Sequence, residues 1–179
     1  MLTLTIPAAT LYNSATNEFI DTKEQTIVLE HSLVSISKWE SKFCVPFIDH
    51  ELTLPEFAEY VRCMTISQNV NPYVYSALTK QNVEDIKEYM DRKMTACKFS
   101  GKKPRNTSGE FITSETLYYL MFGLGIPKEC EKWHLNRLLA LIRFCQAKTG
   151  PQEKMTKAET DAYYAKLNAQ RKKKWGTKG

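Results

Sequence analysis

Two apolar segments in the last third of the chain constrain its fold more than any other feature. The first runs from Leu117 to Phe122, and the second follows Pro127 and carries Trp133, several leucines and Phe144 at helical spacing. A helix that is apolar nearly all round, like the first, is expected at the centre of a fold. The chain has 179 residues and 42% hydrophobic content, which is enough to enclose both segments in one core. Together they predict a compact helical domain.

Helix start signals predict further helices before these two segments. Ser32 precedes apolar residues at helical spacing, and Thr53-Leu54-Pro55-Glu56 is a capping box with a proline tolerated in the first turn. Asn82 is the predicted cap of a third helix. The predicted elements are a helix from His31 that ends before Pro46, a helix from Thr53, a short element from Pro72 to Leu78, a helix from Val83 to Met90, the apolar helix from Ser114 and a helix from Pro127 to Ala147.

The first residues of the chain follow a different period. Leu2, Leu4 and Ile6 alternate with threonines, and the β-prone run Thr26–Leu29 follows the polar, turn-forming stretch Asn13–Asn17. This pattern predicts a small β-hairpin or meander. Because two strands alone are only marginally stable, we expect them to pack on the helices or to pair with another chain.

Positive charge is concentrated at the C-terminal end. Residues 1–147 contain 16 Lys and Arg against 17 Asp and Glu, whereas residues 148–179 contain 9 against 3. Thr156-Lys157-Ala158-Glu159 is a capping box that opens a final helix to about Lys174, whose apolar residues are too few and too small for a core. The predicted fold class is therefore mainly α, with an N-terminal hairpin (1–30), a helical core domain (31–147) and a basic helical appendage (148–179).

Composition excludes several classes of protein. No stretch approaches the roughly 18 consecutive apolar residues of a membrane-spanning helix, and the start lacks a basic region followed by an apolar run, so we expect neither insertion nor export. The five cysteines are odd in number and widely spaced, which favours reduced thiols inside a cell over a disulfide framework. They are Cys44, Cys63, Cys97, Cys130 and Cys145.

The sequence contains no convincing catalytic or metal motif. Nucleotide-binding glycine motifs and a nucleophile elbow are absent, and only Cys130 and His134 stand at a spacing suited to metal. Two ligands do not close a site, so we expect no metal and no cofactor. A cysteine nucleophile with His31, His50 or His134 as its base remains an alternative, but buried, inert roles for Cys63 and Cys145 are favoured.

Two stretches suggest contact with another protein. In His31–Glu40 an apolar stripe alternates with serines and ends in a tryptophan between charges, and in Glu131–Leu139 a Trp, a His, an Asn and an Arg share one segment. Trp and Arg dominate interface energies. The alternative is that both tryptophans anchor the core. With the basic end, the predicted interaction residues are Ser32, Ser35, Lys38, Trp39, Trp133, His134, Asn136, Arg137, Arg171, Lys172, Lys173 and Lys174.

At these stretches the sequence resembles the tail assembly chaperones encoded by many siphophages of Gram-positive hosts. The resemblance rests on LEHSLVSISKWESKF, YVRCMTISQNV, ITSETLYYLMFGLGIP, ECEKWHLNRLLALIRFC and the ending LNAQRKKKWGTKG, in this order over nearly the whole chain. HSLVSISKWE and KWHLNRLL are the distinctive parts. Cys44-Val45 and Phe122-Gly123-Leu124-Gly125 depart from the pattern and leave the local fold open.

The resemblance implies a function that composition does not. Such chaperones, similar in role to the lambda pair made by one gene and its frameshifted extension, coat the tape measure protein in the host cytoplasm and recruit tail tube protein. They have no catalytic residues. The resemblance also implies that the helical body either self-associates or holds the tape measure protein, and it gives no role to a membrane.

Two other functions stay open. The first is a virion structural protein of the neck or tail. The second, less favoured, is a nucleic-acid-binding protein that uses the basic C-terminal end together with cations of the predicted loop SGKKPRNTSG. These loop cations are Lys102, Lys103 and Arg105. Charge alone does not choose between a nucleic acid, an acidic protein and plain solubility as the reason for the basic end.

Overall fold

A computed structural model of the chain describes residues 1–14, 16–48, 50–97, 112–149 and 157–176, without the side chains of 149, 157–160, 173 and 174. The predicted loop SGKKPRNTSG and the predicted capping residue Thr156 lie outside these ranges, as does Gly150-Pro151, where we expected the chain to break between the last two helices. The chain divides into two compact units, Met1–Cys145 and Gln146–Gly179. The predicted N-terminal hairpin therefore belongs to the same unit as the helical body.

Four strands and six α-helices are described, with two 3₁₀ helices. The strands are β1 (Leu2–Ile6), β2 (Ala9–Asn13), β3 (Glu18–Thr22) and β4 (Gln25–Leu29). The helices are α1 (Leu33–Phe43), α2 (Leu54–Met64), α3 (Lys80–Asp91), α4 (Ser114–Gly123), α5 (Leu135–Thr149) and α6 (Lys157–Trp175). The first 3₁₀ helix is Pro72–Ala77, between α2 and α3, and the second is Lys128–Lys132, between α4 and α5.

The strands form two small antiparallel sheets, β1 with β4 and β2 with β3. Leu2 lies opposite Leu29 and Ala9 opposite Thr22, so seven residues separate the two pairs on each strand and the sheets share one continuous register. Pro7 lies at the interruption, where its missing N–H removes a donor from the ladder.

The face turned to the core changes at this interruption. Leu4 and Ile6, at even positions, are buried in β1, whereas the odd position Leu11 is the half-buried apolar residue of β2. The sequence predicted β1, β4 and the turn after Asn13, but it did not predict β2 and β3. These two strands bury little and are joined by the cross-strand contact of Tyr12 with Phe19, whose ring centroids are 5.2 Å apart.

Helices α1 and α2 start where the capping residues predict. Ser32 caps α1 and Thr53 caps α2. In the predicted capping box of α2, the Thr53 N–H donates to Glu56 Oε2. α1 ends at Phe43, before Pro46, because Cys44 adopts a left-handed conformation (φ 57°). The segment after α2 then returns beside β4, where the Ile66 N–H donates to the Val28 carbonyl at 2.8 Å.

Two predicted helix boundaries were wrong. α3 begins at Lys80 with Thr79 as its cap, and Asn82, the predicted cap, instead lies one turn inside and bonds back to the Thr79 backbone. The predicted continuous helix after Pro127 is divided into the second 3₁₀ helix and α5. The Leu135 N–H donates to the His31 carbonyl at 2.7 Å, and this tertiary bond takes a donor that a continuous helix would use internally.

The core of the first unit is formed by the inner faces of β1 and β4 together with α1 to α5. The apolar run of α4 predicted a helix at the centre of the fold, but the core covers only one of its faces. Only Ser114, Leu117 and Met121 of α4 are buried, which is one face of a helix with spacings of three and four, and the opposite face is exposed. None of the helices in the described ranges has the length and apolar character needed to cross a bilayer.

Candidate protein-interaction surface

Ser32 and Ser35, in the first predicted contact stretch, form hydrogen bonds inside the fold. The Ser32 N–H donates to Ser35 Oγ at 3.0 Å, and the Ser35 N–H donates to Ser32 Oγ at 3.3 Å. Both serines are buried, and Ser35 Oγ also donates to the Ser32 carbonyl at 2.7 Å. Their hydroxyls therefore hold the start of α1, where free N–H groups need acceptors.

Trp39 is fully buried at the centre of an aromatic cluster. Its ring stacks on Phe43 with centroids 4.6 Å apart, and it meets Phe47 edge-on at 5.3 Å. The indole Nε1–H donates to the Glu56 carbonyl at 3.2 Å, so its polar atom also has an internal partner. Trp39 is thus a core anchor, the alternative that the sequence left open, and it joins α1 to α2.

A buried pair of histidines lies where α1 and α5 begin. The rings of His31 and His134 meet edge-on with centroids 5.3 Å apart, and His31 Nδ1 shares a hydrogen bond of 2.5 Å with the Tyr60 hydroxyl. His134 Nε2 donates to the Tyr89 carbonyl at 3.0 Å, while its Nδ1 accepts from the Asn136 N–H at 3.2 Å. One nitrogen donates and the other accepts, which requires a neutral ring.

Burial keeps both histidines uncharged. It lowers the pKa of His31 from 6.5 to about 3, with a further contribution from His134. Burial likewise lowers the pKa of His134, against the hydrogen bond to Tyr89. Neither ring is therefore suited to take a proton from a nucleophile near neutral pH.

Two of the cysteines, Cys63 and Cys130, lie in surroundings that disfavour the thiolate. Burial raises the pKa of Cys63, as does nearby Glu59, and burial and Glu129 raise the pKa of Cys130. Cys130 is the buried cysteine, whereas Cys63 and Cys145, the two expected to be buried, are only half-buried. Within the described ranges, no three His, Cys, Asp or Glu side chains converge as metal ligands.

The exposed face of α4 carries large aromatic side chains. Tyr119 is 76% exposed and Phe122 is 60% exposed, although both lie in the most apolar run of the sequence. They are three positions apart and so lie on one side of the helix. Exposed aromatic rings on a helix that is anchored on its other face form a pre-ordered contact surface.

Trp133 and Arg137 extend this side of the molecule. The guanidinium carbon of Arg137 lies 3.9 Å from the centre of the Trp133 ring. This is a cation–π contact between residues four positions apart. Trp133 is half-buried and Arg137 is exposed. These two predicted residues therefore reach the surface as a stacked pair.

Tyr118 connects the two groups. Its hydroxyl donates to Glu131 Oε2 at 3.0 Å, two residues before Trp133, and its ring stacks on Phe122 with centroids 6.2 Å apart. Burial and Glu131 raise the pKa of Tyr118 to about 12, so the hydroxyl keeps its proton and remains a donor. We define the α4–α5 surface as Tyr118, Tyr119, Phe122, Trp133 and Arg137.

Glu40 fixes α4 to the rest of the unit. This buried carboxylate of α1 accepts the Ser114 N–H at 2.7 Å through Oε2 and the Phe47 N–H at 2.8 Å through Oε1. A negative charge at a helix N-terminus is favoured by the helix dipole as well as by the free N–H groups there. The exposed rings of α4 are thereby presented from a helix held at its first residue.

The α4–α5 surface does not include the remaining predicted residues. Lys38 is exposed on α1, and Asn136 donates to the Met90 and Arg92 carbonyls at 2.9 and 2.8 Å, which caps the end of α3. Arg171 and Lys172 are exposed on α6, in the second unit. The side chains of Lys173 and Lys174 lie outside the described residues.

Sequence reasoning missed Tyr118, Tyr119 and Phe122 because it placed the whole apolar run in the core. The available signal was the spacing of Ser114, Leu117 and Met121, which already supplies one complete buried face and leaves the three rings to its side.

Comparisons of the chain with protein-family models, with curated proteins and with solved structures find no match.

Proposed function

We propose that this chain is a non-enzymatic protein-binding factor that acts as a tail assembly chaperone of a tailed bacteriophage. In the host cytoplasm it binds the tape measure protein and assists assembly of tail tube protein around it. The observation that carries the binding part is the α4–α5 surface, and the sequence resemblance supplies the identity of the partner. The proposal treats the chain as a mainly α domain with a packed N-terminal hairpin and a basic helical appendage.

The composition of the α4–α5 surface supports protein binding. Aromatic and Arg side chains are the types that dominate binding energy at interfaces. On this surface Tyr119, Phe122 and Arg137 are exposed, and Tyr118 and Trp133 are half-buried. Covering such rings with a partner removes apolar area from water at roughly 25 cal/mol per Å². The part of the surface that lies on α4, a helix held at its first residue, loses little conformational entropy when it is covered.

The chemistry of a tape measure protein fits such a surface. The long helices expected of it carry apolar stripes that need cover before the tail tube encloses them, and an exposed helix face with aromatic rings can pack against a stripe of this kind. Because each copy contributes a modest contact, many copies along one partner bind strongly together while each remains able to leave.

Co-expression with the tape measure protein of the same phage, followed by affinity capture, tests the proposal. We expect the wild-type chain to capture the tape measure protein, and the double variant Tyr119→Ser with Phe122→Ser to capture at least about ten-fold less, the loss expected when two anchor rings are removed. The matched control is Tyr12→Ser with Phe19→Ser, which also removes two exposed rings from the first unit. The control should retain capture within about two-fold.

Three results would count against this function. The first is a folded Tyr119→Ser, Phe122→Ser variant, with the circular dichroism of the wild type, that captures the tape measure protein as well as the wild type does. The second is equal loss in both double variants, which would remove the special role of the α4–α5 surface. The third is stoichiometric presence in purified virions, which would favour a structural neck or tail protein over a chaperone.

A further inference from the structure

Helix α6 exposes aromatic rings among its cations. Tyr163 is 54% exposed, Tyr164 56% and Trp175 71%, and the helix has one aliphatic side chain larger than alanine, the half-buried Leu167. Sequence patterns predicted only that the apolar residues of this helix are too few for a core, and they predicted no role for its rings. Their exposure is an observation independent of that charge.

Positive charge in α6 is concentrated toward the C-terminal end of the helix. No acidic residue follows Asp161, whereas five cations lie between it and the end of the helix: Lys166, Arg171, Lys172, Lys173 and Lys174. The run Arg171–Lys174 occupies four consecutive helical positions, which cover most of one turn at 3.6 residues per turn. A partner that contacts a single face of the helix would therefore leave some of these four positions uncovered.

The rings and part of the charge share one side of α6. Tyr163, Leu167 and Arg171 follow one another at intervals of four, and Tyr164 and Trp175 are eleven positions apart, about three full turns. From Tyr163 to Trp175 this side is about 18 Å long at a rise of 1.5 Å per residue. Along this side, two tyrosine rings are followed by Leu167, the cation Arg171 and the Trp175 ring.

We infer that α6 binds single-stranded nucleic acid, a function independent of the α4–α5 surface. A single strand offers unpaired bases that stack on exposed aromatic rings, and a flexible line of phosphates that can follow cations around a helix. A duplex would hide its base faces from the rings. An acidic protein would match the charge but would not need flat rings at this spacing, and the small aliphatic content of α6 makes it a poor interfacial membrane helix.

The charge part is tested with the full chain and a fluorescent oligothymidylate, by anisotropy over a range of salt concentrations. We expect binding that weakens linearly with the logarithm of salt concentration. Arg171→Gln with Lys172→Gln should reduce the slope by about 1.4, because each contacted phosphate of a single strand contributes about 0.7. The control Lys23→Gln with Lys80→Gln removes two exposed lysines of the first unit and should leave the slope unchanged.

The stacking part is tested by Trp175→Ala and Tyr164→Ala. Each should weaken oligothymidylate binding by about ten-fold, the range of one lost base stack, without changing the salt slope. The same variants should bind polyglutamate of equal charge as the wild type does. Tyr119→Ser with Phe122→Ser should bind oligothymidylate normally, which separates this inference from the proposed function.

The inference would be overturned by any of three outcomes. Equal affinity for polyglutamate and oligothymidylate would reduce α6 to a general anion binder. Tighter binding to vesicles of phosphatidylserine and phosphatidylcholine than to oligothymidylate would assign α6 to a lipid surface. Unchanged affinity in both aromatic variants, with helical circular dichroism retained, would show that the rings do not stack on bases.

Discussion

Trp39 and Trp133 each follow a lysine in a helix-prone stretch with small polar neighbours, yet they have opposite positions in the folded chain. Trp39 is fully buried against Phe43 and Phe47, and its indole N–H has a carbonyl acceptor. Trp133 is half-buried, and its ring face is covered by the exposed guanidinium of Arg137. The same residue type is thus a core anchor in one region and a partly exposed surface residue in the other.

The difference lies in the neighbours that the fold brings together. Near Trp39, the Phe47 ring and a backbone carbonyl of α2 arrive from outside α1, so the large ring and its polar atom are both satisfied internally. Trp133 lies at the junction between the second 3₁₀ helix and α5, where the chain pairs with the start of α1 through the Ser32 and His134 bridge. That pairing buries His134 and leaves Trp133 toward the surface.

The largest predicted effect separates the two tryptophans directly. Trp39→Ala should lower the free energy of unfolding by about 3 to 5 kcal/mol, because it leaves a large cavity in the core. Trp133→Ala should lower it by less than about 1 kcal/mol, since it removes a half-buried ring and one cation–π contact. Urea unfolding followed by circular dichroism measures both. Similar losses in the two variants would break the contrast between core anchor and surface ring.

Glu40, next to Trp39 in α1, is predicted to hold the start of α4. Glu40→Ala should cost about 2 to 4 kcal/mol of unfolding free energy, because it leaves the buried N–H groups of Phe47 and Ser114 without an acceptor. Glu40→Gln keeps the shape and one acceptor oxygen, so its loss should be smaller. Hydrogen exchange of the first turn of α4 should speed up in both variants. Unchanged exchange there would show that Glu40 does not hold α4.

The buried region should also be sensitive to pH. The pKa of His31 falls from 6.5 to about 3 on folding. Between these two values the His31 ring binds a proton in the unfolded chain but not in the folded chain. This contribution to stability is complete above about pH 6.5 and is lost as the pH falls toward about 3. Between about pH 7 and about pH 5 the expected loss is about 2 kcal/mol, and His134 acts in the same direction.

His31→Gln provides the control for that pH dependence. The variant should be less stable than the wild type near neutral pH, because it loses the ring contacts of His31. Its unfolding free energy should change with pH by about 2 kcal/mol less over the same range. Urea titrations at the two pH values measure this difference, and an equally steep dependence in the variant would place the pH sensitivity elsewhere in the chain.

Local signals in the sequence predicted the parts of the fold that depend on neighbouring residues. The caps at Ser32 and Thr53 and the alternation in β1 act within a few residues, so the sequence alone identified these elements. The break between the second 3₁₀ helix and α5 depends on a hydrogen bond from Leu135 to His31, which is distant in sequence. Periodicity carries no information about such a bond.

The candidate surface was only partly predictable for a related reason. Trp133 and Arg137 stood out by residue type, and the structure brings them together on the surface. Tyr119 and Phe122 did not stand out, because an apolar run is ordinarily a core segment. Only the position of α4 at the edge of the unit, held by Glu40, turns these rings outward.

Site-specific photocrosslinking tests whether the α4–α5 surface contacts the tape measure protein. Benzoylphenylalanine is placed at Phe122 on the α4–α5 surface or at Phe19 on β3, both exposed aromatic positions, in cells that also produce the tape measure protein. We expect a covalent product with the tape measure protein from position 122 and none from position 19. A product from position 19 alone, or no product from position 122 while the wild-type chain still captures the tape measure protein, would contradict it.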